Sequence, residues 1–203
     1  MEGAQLNALL RTVGSAAPNQ SDFLLVMAEF ILLLKADRDH RSDPNFKEPG
    51  ALRTVEADVL GGKRWVLGIL NISNVHWTAY AINVWDGEVK YGDSQGSGCR
   101  MPVDEEIAIW GWVHKLRQQM QLPPLPSQVV GWLPVNVQPD GYSCGLFAIN
   151  AIEAFIGSRS LICSTVRDVC NYRIELALRT IRSTSGKNVR NADIFQLCTL
   201  TNM

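Results

Sequence analysis

The longest apolar run in the chain is FLLVMAEFILLLKA, residues 23–36, broken only by Glu29 before Lys35. Ser21 and Asp22 precede it as good helix-start residues, so the pattern predicts a buried helix ending near Ala36. The run is too short to span a bilayer and carries a carboxylate in its middle. Residues 37–50, DRDHRSDPNFKEPG, then read as a polar loop with two prolines. RWVLGILNI (64–72) follows Gly61-Gly62 and predicts a buried strand. In residues 75–96 two strand-like stretches flank Asp86-Gly87, the signature of a tight hairpin turn. Residues 103–121 have apolar positions at 107, 110, 113, 116 and 120 and predict a helix, which LPPLP (122–126) ends. A further strand is expected over 128–137. The run from Cys144 to about Ile156 predicts a helix stopped by Gly157. An amphipathic helix is expected over 164–183, opening at Ser164 with Val166, Val169, Cys170, Ala177 and Ile181 near one stripe. The tail at 185–200 has no pattern to read. These elements amount to an α+β domain in which a short sheet is packed by helices.

Composition narrows the function. A chain of 203 residues suits one domain, and 46% hydrophobic with 19% charged residues is ordinary for a globular protein. A net charge of −1 argues against a dedicated nucleic-acid binder, and the basic residues of KADRDHR (35–41) alternate with acids as on a solvated face. The five cysteines, at 99, 144, 163, 170 and 198, form no regular framework, and no signal peptide is visible at the N-terminus. Free thiols in a reducing compartment are expected. No CxxC pair exists, so zinc spacing is missing and no metal or other cofactor is implied.

Cys144 sits where the loop QPDGYS (138–143) becomes an apolar helix. A thiol there feels the positive end of the helix dipole, which favours the thiolate. Gly145 leaves room for substrate backbone to approach. On these features alone an inert buried cysteine is the commoner outcome. The histidines add to them. His40 and His114 fall on polar surfaces, whereas His76 opens a strand whose hairpin partner carries Asp93. A two-residue turn at Asp86-Gly87 pairs Asp93 with Tyr80 and puts it on the same face as His76. The offset of four residues is about 13 Å of straight strand, which a bulge or curl must close. Gln138, six residues before Cys144, has a side-chain amide suited to donate to an oxyanion beside the Cys144 N–H.

HW at 76–77, YGDS at 91–94 and QPDGYSCG at 138–145 together resemble the catalytic motifs of the ubiquitin-like-protein-specific, desumoylating cysteine proteases, in the adenovirus-protease-like clan. The chain order His, Asp, Gln, Cys is permuted relative to papain. The resemblance implies a papain-like cysteine protease fold, with Cys144 as nucleophile, His76 as general base, Asp93 as its orienting group and Gln138 as oxyanion donor. It implies that Trp77 roofs a tunnel for a terminal Gly-Gly, the other reading of Trp77 being a core aromatic. It further implies a thiol isopeptidase needing no cofactor; a monomer is expected, and with no targeting signal visible the expected place is nucleus or cytoplasm. The implied partner is a ubiquitin-like modifier, SUMO-like, or its conjugates, with no nucleic acid and no membrane. One catalytic domain covers 1–203 on this reading. Its helical N-terminal part, 1–63, is a candidate for substrate recognition, 64–157 is the catalytic core and 158–203 holds C-terminal helices. The chain departs from the family in having Ser143 where an acidic residue often precedes the cysteine, Leu70 where a proline often stands, and no early tryptophan segment before residue 64. An effector-type acetyltransferase with the same triad order, and an inactive modifier-binding domain, are the alternative readings.

Overall fold

The computed structural model describes residues 3–15, 17–18, 20–96 and 98–185. Its centre is a five-stranded mixed sheet in the order β1-β2-β3-β4-β5. The strands are β1 (Phe23–Leu25), β2 (Trp65–Ile72), β3 (His76–Asn83), β4 (Glu88–Gly92) and β5 (Val130–Trp132). The inner pairs β2–β3 and β3–β4 are antiparallel, and both edges are parallel additions. Every residue of β3 is buried, because helices cover both faces of the sheet. On one side Trp77, Ala79 and Ala81 pack in a single apolar cluster with α5 (Cys144–Phe155), α1 (Gly3–Ser15) and α6 (Val166–Ser185). Alanines at 79 and 81 let α5 lie close to the strand. On the other side Tyr80 and Ile82 meet α2 (Phe30–His40), α3 (Gly50–Leu60) and α4 (Val103–Gln119). This is the α+β arrangement the sequence predicts, with a short mixed sheet between helical layers.

Several elements differ from expectation for identifiable reasons. The helix predicted from residue 22 to 36 is a strand and a shorter helix. Phe23, Leu24 and Leu25 pair with Trp65, Val66 and Leu67, and flanking bonds from Arg64 N and Trp65 N to Asp22 O fix the register. An apolar run buried on both sides suits either element, so the open edge of β2 decides. Helix α3 fills a stretch for which no separate element is predicted, burying Leu52, Glu56 and Val59 along one side. The strand expected over 128–137 is confined to Val130–Trp132, since Pro134 has no N–H for the ladder. In α4 the buried stripe runs through Ala108, Ile109, Trp110, Trp112, Val113 and Leu116, and the expected core residue Ile107 is 53% exposed. Helix α6 opens after Thr165, whose hydroxyl accepts the Asp168 N–H at 3.1 Å. It buries Val169, Tyr172 and Leu176, while Val166 and Cys170 face out.

The β3–β4 hairpin matters most for the site. Its pairing is Tyr80 with Tyr91 and Asn83 with Glu88, so the connection is four residues long (84–87) and not two. Asn83 shapes it: its Oδ1 accepts the Asp86 N–H at 3.0 Å and its Nδ2 donates to Asp86 Oδ2 at 2.7 Å. Gly87 completes the turn at φ 67°, a left-handed conformation that suits glycine. The longer turn slides β4 by two residues, which preserves the face of every side chain and brings Asp93 nearer to His76.

Candidate active site

His76 is the first residue of β3, and Asp93 lies one residue beyond the end of β4. Both are buried, and His76 Nε2 is 2.7 Å from Asp93 Oδ1. The four-residue offset expected from the sequence is thus closed by the two-residue slide and by the chain leaving the ladder after Gly92. Asp93 is further fixed by the Gln95 N–H on Oδ1 at 2.8 Å and the Tyr91 hydroxyl on Oδ2 at 3.3 Å. A carboxylate can only accept, so the imidazole proton belongs on Nε2 and the lone pair remains on Nδ1. Burial pushes the Tyr91 phenol up, with the Asp93 charge acting in the same direction. The Cys99 thiol is raised by burial and by the same carboxylate.

Cys144 opens α5, and Ser143 stands at its N-cap position without a side-chain cap bond. The first N–H groups of a helix have no intrahelical partner, so the thiol sits at a ready-made set of donors. Trp77 follows His76 on the strand but faces the opposite side of the sheet, where it shares the apolar cluster with Cys144, Leu6 and Leu146. A Cβ at Gly145 would lie 3.1 Å from Leu6 and 3.7 Å from Trp77 Cδ1. One at Gly3 would lie 3.6 Å from the far ring edge, Trp77 Cη2. The indole therefore spans from the start of α5 to the start of α1. No hydrogen bond among the described residues joins the Cys144 thiol to His76. Trp77 follows His76 in the chain and belongs to the same apolar cluster as Cys144.

Gln138 is half-buried and sewn to the residue after Asp93. Its N–H donates to Ser94 O at 2.8 Å, and its Oε1 accepts the Ser94 hydroxyl at 2.6 Å. Its Nε2 donates to the carbonyl of Asp140. The loop then closes on Asp140, whose carboxylate accepts the N–H groups of Tyr142 and Ser143 and the Ser143 hydroxyl. Ser94, Tyr91, Asp140 and Ser143 all lie inside the motifs read from the sequence, yet nothing in those motifs marked them as the ties between segments. Arg173, on α6, reaches Ser143 Oγ at 3.3 Å and had no sequence signal at all.

Residues 40–183 match the model of the Ulp1 protease family, C-terminal catalytic domain. The chain belongs to the Ulp1 protease family. It is a cysteine protease, and the matched segment holds all four motif residues, His76, Asp93, Gln138 and Cys144. Solved structures of Ulp1-type proteases share the fold at low identity. The SUMO protease Ulp1 with its catalytic cysteine oxidised to a sulfenic acid superposes with a TM-score of 0.63 at 15% identity, covering 89% of this chain and 76% of that one. The Ulp1 protease domain in complex with Smt3, the yeast ortholog of SUMO, gives 0.59 at 15% identity over 89% and 75% of the two chains. The Xanthomonas campestris effector XopD bound to ubiquitin gives 0.54 at 18% identity over 88% and 90%. No curated protein sequence matches the chain. In this Ulp1-family member α1, β1 and all but the last residue of α2 lie ahead of the matched segment, although Leu6 of α1 shares the apolar cluster of Trp77 and faces Gly145.

Proposed function

We propose that this protease cleaves the peptide or isopeptide bond after the terminal Gly-Gly of a ubiquitin-like modifier, SUMO-like in the first instance. The observation that carries the reading is the buried His76–Asp93 pair at 2.7 Å beside a loop that leads from Gln138 to Cys144 at a helix start. His76 Nδ1 takes the proton of the Cys144 thiol, and the thiolate adds to the scissile carbonyl. Gln138 and the Cys144 N–H donate to the oxyanion. His76 then gives its proton to the leaving amine, and the acyl-enzyme forms as the C–N bond breaks. Water, deprotonated by His76, releases the modifier's carboxylate and restores the thiol. Trp77 and Gly145 line the approach to Cys144 on this reading, and the segment 1–63 contributes to recognition through α1.

The likeness to structures holding Smt3 and ubiquitin supports this substrate class. Cys99, Cys144, Cys163 and Cys170 are free, which supports a reducing compartment, cytoplasm or nucleus. Among the described residues no helix is long and apolar enough to cross a membrane. The test is hydrolysis of isopeptide-linked SUMO and ubiquitin dimers by the chain and by Cys144→Ala. Cys144-dependent conversion of dimer to monomer is expected. Transfer of an acetyl group from acetyl-coenzyme A to Cys144 without dimer cleavage would select the acetyltransferase, and modifier binding with neither reaction the inactive domain.

A further inference from the structure

The loop between Gln138 and Cys144 is organised by one side chain. Asp140 Oδ1 accepts the N–H groups of Tyr142 at 3.0 Å and Ser143 at 2.7 Å, and its Oδ2 accepts the Ser143 hydroxyl at 2.7 Å. Its main-chain carbonyl takes the Gln138 amide. A carbonyl only accepts, so Nε2 must face it, and the Ser94 hydroxyl on Oε1 fixes the same orientation. One N–H of the Gln138 amide is left for a further acceptor.

Serine at an N-cap position ordinarily turns its oxygen to the N–H groups of the first turn. Ser143 makes no such bond, because its hydroxyl is committed to Asp140 while Arg173 Nη2 donates to the same oxygen at 3.3 Å. The Ser143 hydroxyl therefore ties the helix start to Asp140 and Arg173 and caps none of the first-turn N–H groups, of which that of Leu146 is taken by the Ser143 carbonyl at 2.9 Å. Arg173 also lies over the Tyr142 ring, its guanidinium 5.8 Å from the centroid, so α6 holds the loop from outside. Burial works to raise the Asp140 carboxyl, but the Tyr142 and Ser143 donors and the Arg173 charge outweigh it and hold the group below its ordinary value. An anion accepts these bonds more strongly than a neutral oxygen would.

We infer that Asp140 is a positioning residue for the oxyanion site: its carboxylate fixes the loop through Tyr142 and Ser143 and so holds its own carbonyl where that carbonyl aims the Gln138 amide. This rests on the reading of Gln138 and the Cys144 N–H as oxyanion donors. In the full chain, Asp140→Ala lowers kcat on SUMO carrying a carboxy-terminal aminomethylcoumarin by about 10²-fold, with KM within about threefold of wild type. Alkylation of Cys144 by iodoacetamide forms no oxyanion and stays within about threefold, read by peptide mass. In a Gln138→Ala background the same change costs less than about threefold more, because the donor it aims is gone. Asp140→Asn keeps an acceptor for the Tyr142 and Ser143 N–H groups, recovers about tenfold of the loss, and replaces the alanine variant if that fails to fold.

Losses that multiply fully in the double variant, or alkylation that falls with turnover, overturn the inference. If the wild-type chain does not turn over the SUMO substrate, the functional reading has failed, and amide exchange decides the positioning role. Exchange at Tyr142 and Ser143 that is faster by about tenfold in the Asp140 variants supports it, and unchanged exchange overturns it.

Discussion

Asp93 and Gln138 are the two side chains whose roles can be separated most cleanly by substitution. Asp93 holds the His76 proton on Nε2, so Asp93→Asn presents an amide that permits the wrong tautomer at unchanged size. A fall in kcat of about 10⁴ is predicted, by analogy with carboxylate-to-amide changes in other triads, with little change in KM. A loss under tenfold would show that His76 is oriented by something else. In the proposed mechanism Gln138→Ala removes one oxyanion donor, and the change is predicted to lower kcat by about 10²–10³, with substrate binding unaffected. Steady-state kinetics on the coumarin substrate read both, and an unchanged kcat would remove Gln138 from the mechanism. These residues were legible in the sequence because each sits in a short motif whose spacing is set by local structure. Tyr91, Asp140 and Arg173 were not, since their value lies in which carboxylate or hydroxyl they meet across the fold.

At the scale of elements, α1 and α5 meet where Gly145 faces Leu6, which is fully buried. A Cβ at Gly145 would sit 3.1 Å from the Leu6 side chain, so Gly145→Ala forces that side chain to move. Leu6→Ala alone is predicted to cost about 2–5 kcal/mol in urea unfolding. In the double variant the added methyl occupies part of the cavity, so the two losses are predicted to sum to less than their separate values. Strict additivity would mean that the two helices do not share this contact. The hairpin face of His76 and Asp93 was legible from period-two alternation, and it survived a wrong turn length because the slide was an even number of residues. Strand β1 was hidden for the opposite reason: its three residues carry no alternation, and only pairing with β2 makes them a strand.

Over the whole molecule, α6 closes the side of the core that carries α5. Glu153, in the last turn of α5, is fully buried and is met by the Arg179 Nη1 at 2.6 Å and the Tyr172 hydroxyl at 2.5 Å. Burial pushes the Tyr172 phenol far up, with the neighbouring Glu153 charge adding to it, so it stays a donor. Arg179→Met would leave a buried carboxylate without its cation, a loss of about 3–5 kcal/mol. Glu153→Gln in the same chain should recover most of it, as measured by urea midpoint, since the uncompensated charge is then removed. Failure of the second change to recover stability would place the loss in packing and not in charge. None of this network was visible beforehand, because a lone glutamate in an apolar helix gives no hint of its partners in a helix two dozen residues on.

In the proposed reaction Cys144, activated by His76, attacks the carbonyl at the end of a ubiquitin-like modifier. Its most direct test is the intact mass of the full chain after mixing with SUMO bearing a carboxy-terminal vinyl or propargyl electrophile. One added modifier is predicted, mapped to Cys144, lost in Cys144→Ser and slowed at least about tenfold in His76→Ala. A modifier attached to Cys99, Cys163 or Cys170 instead, or labelling indifferent to His76, would contradict it.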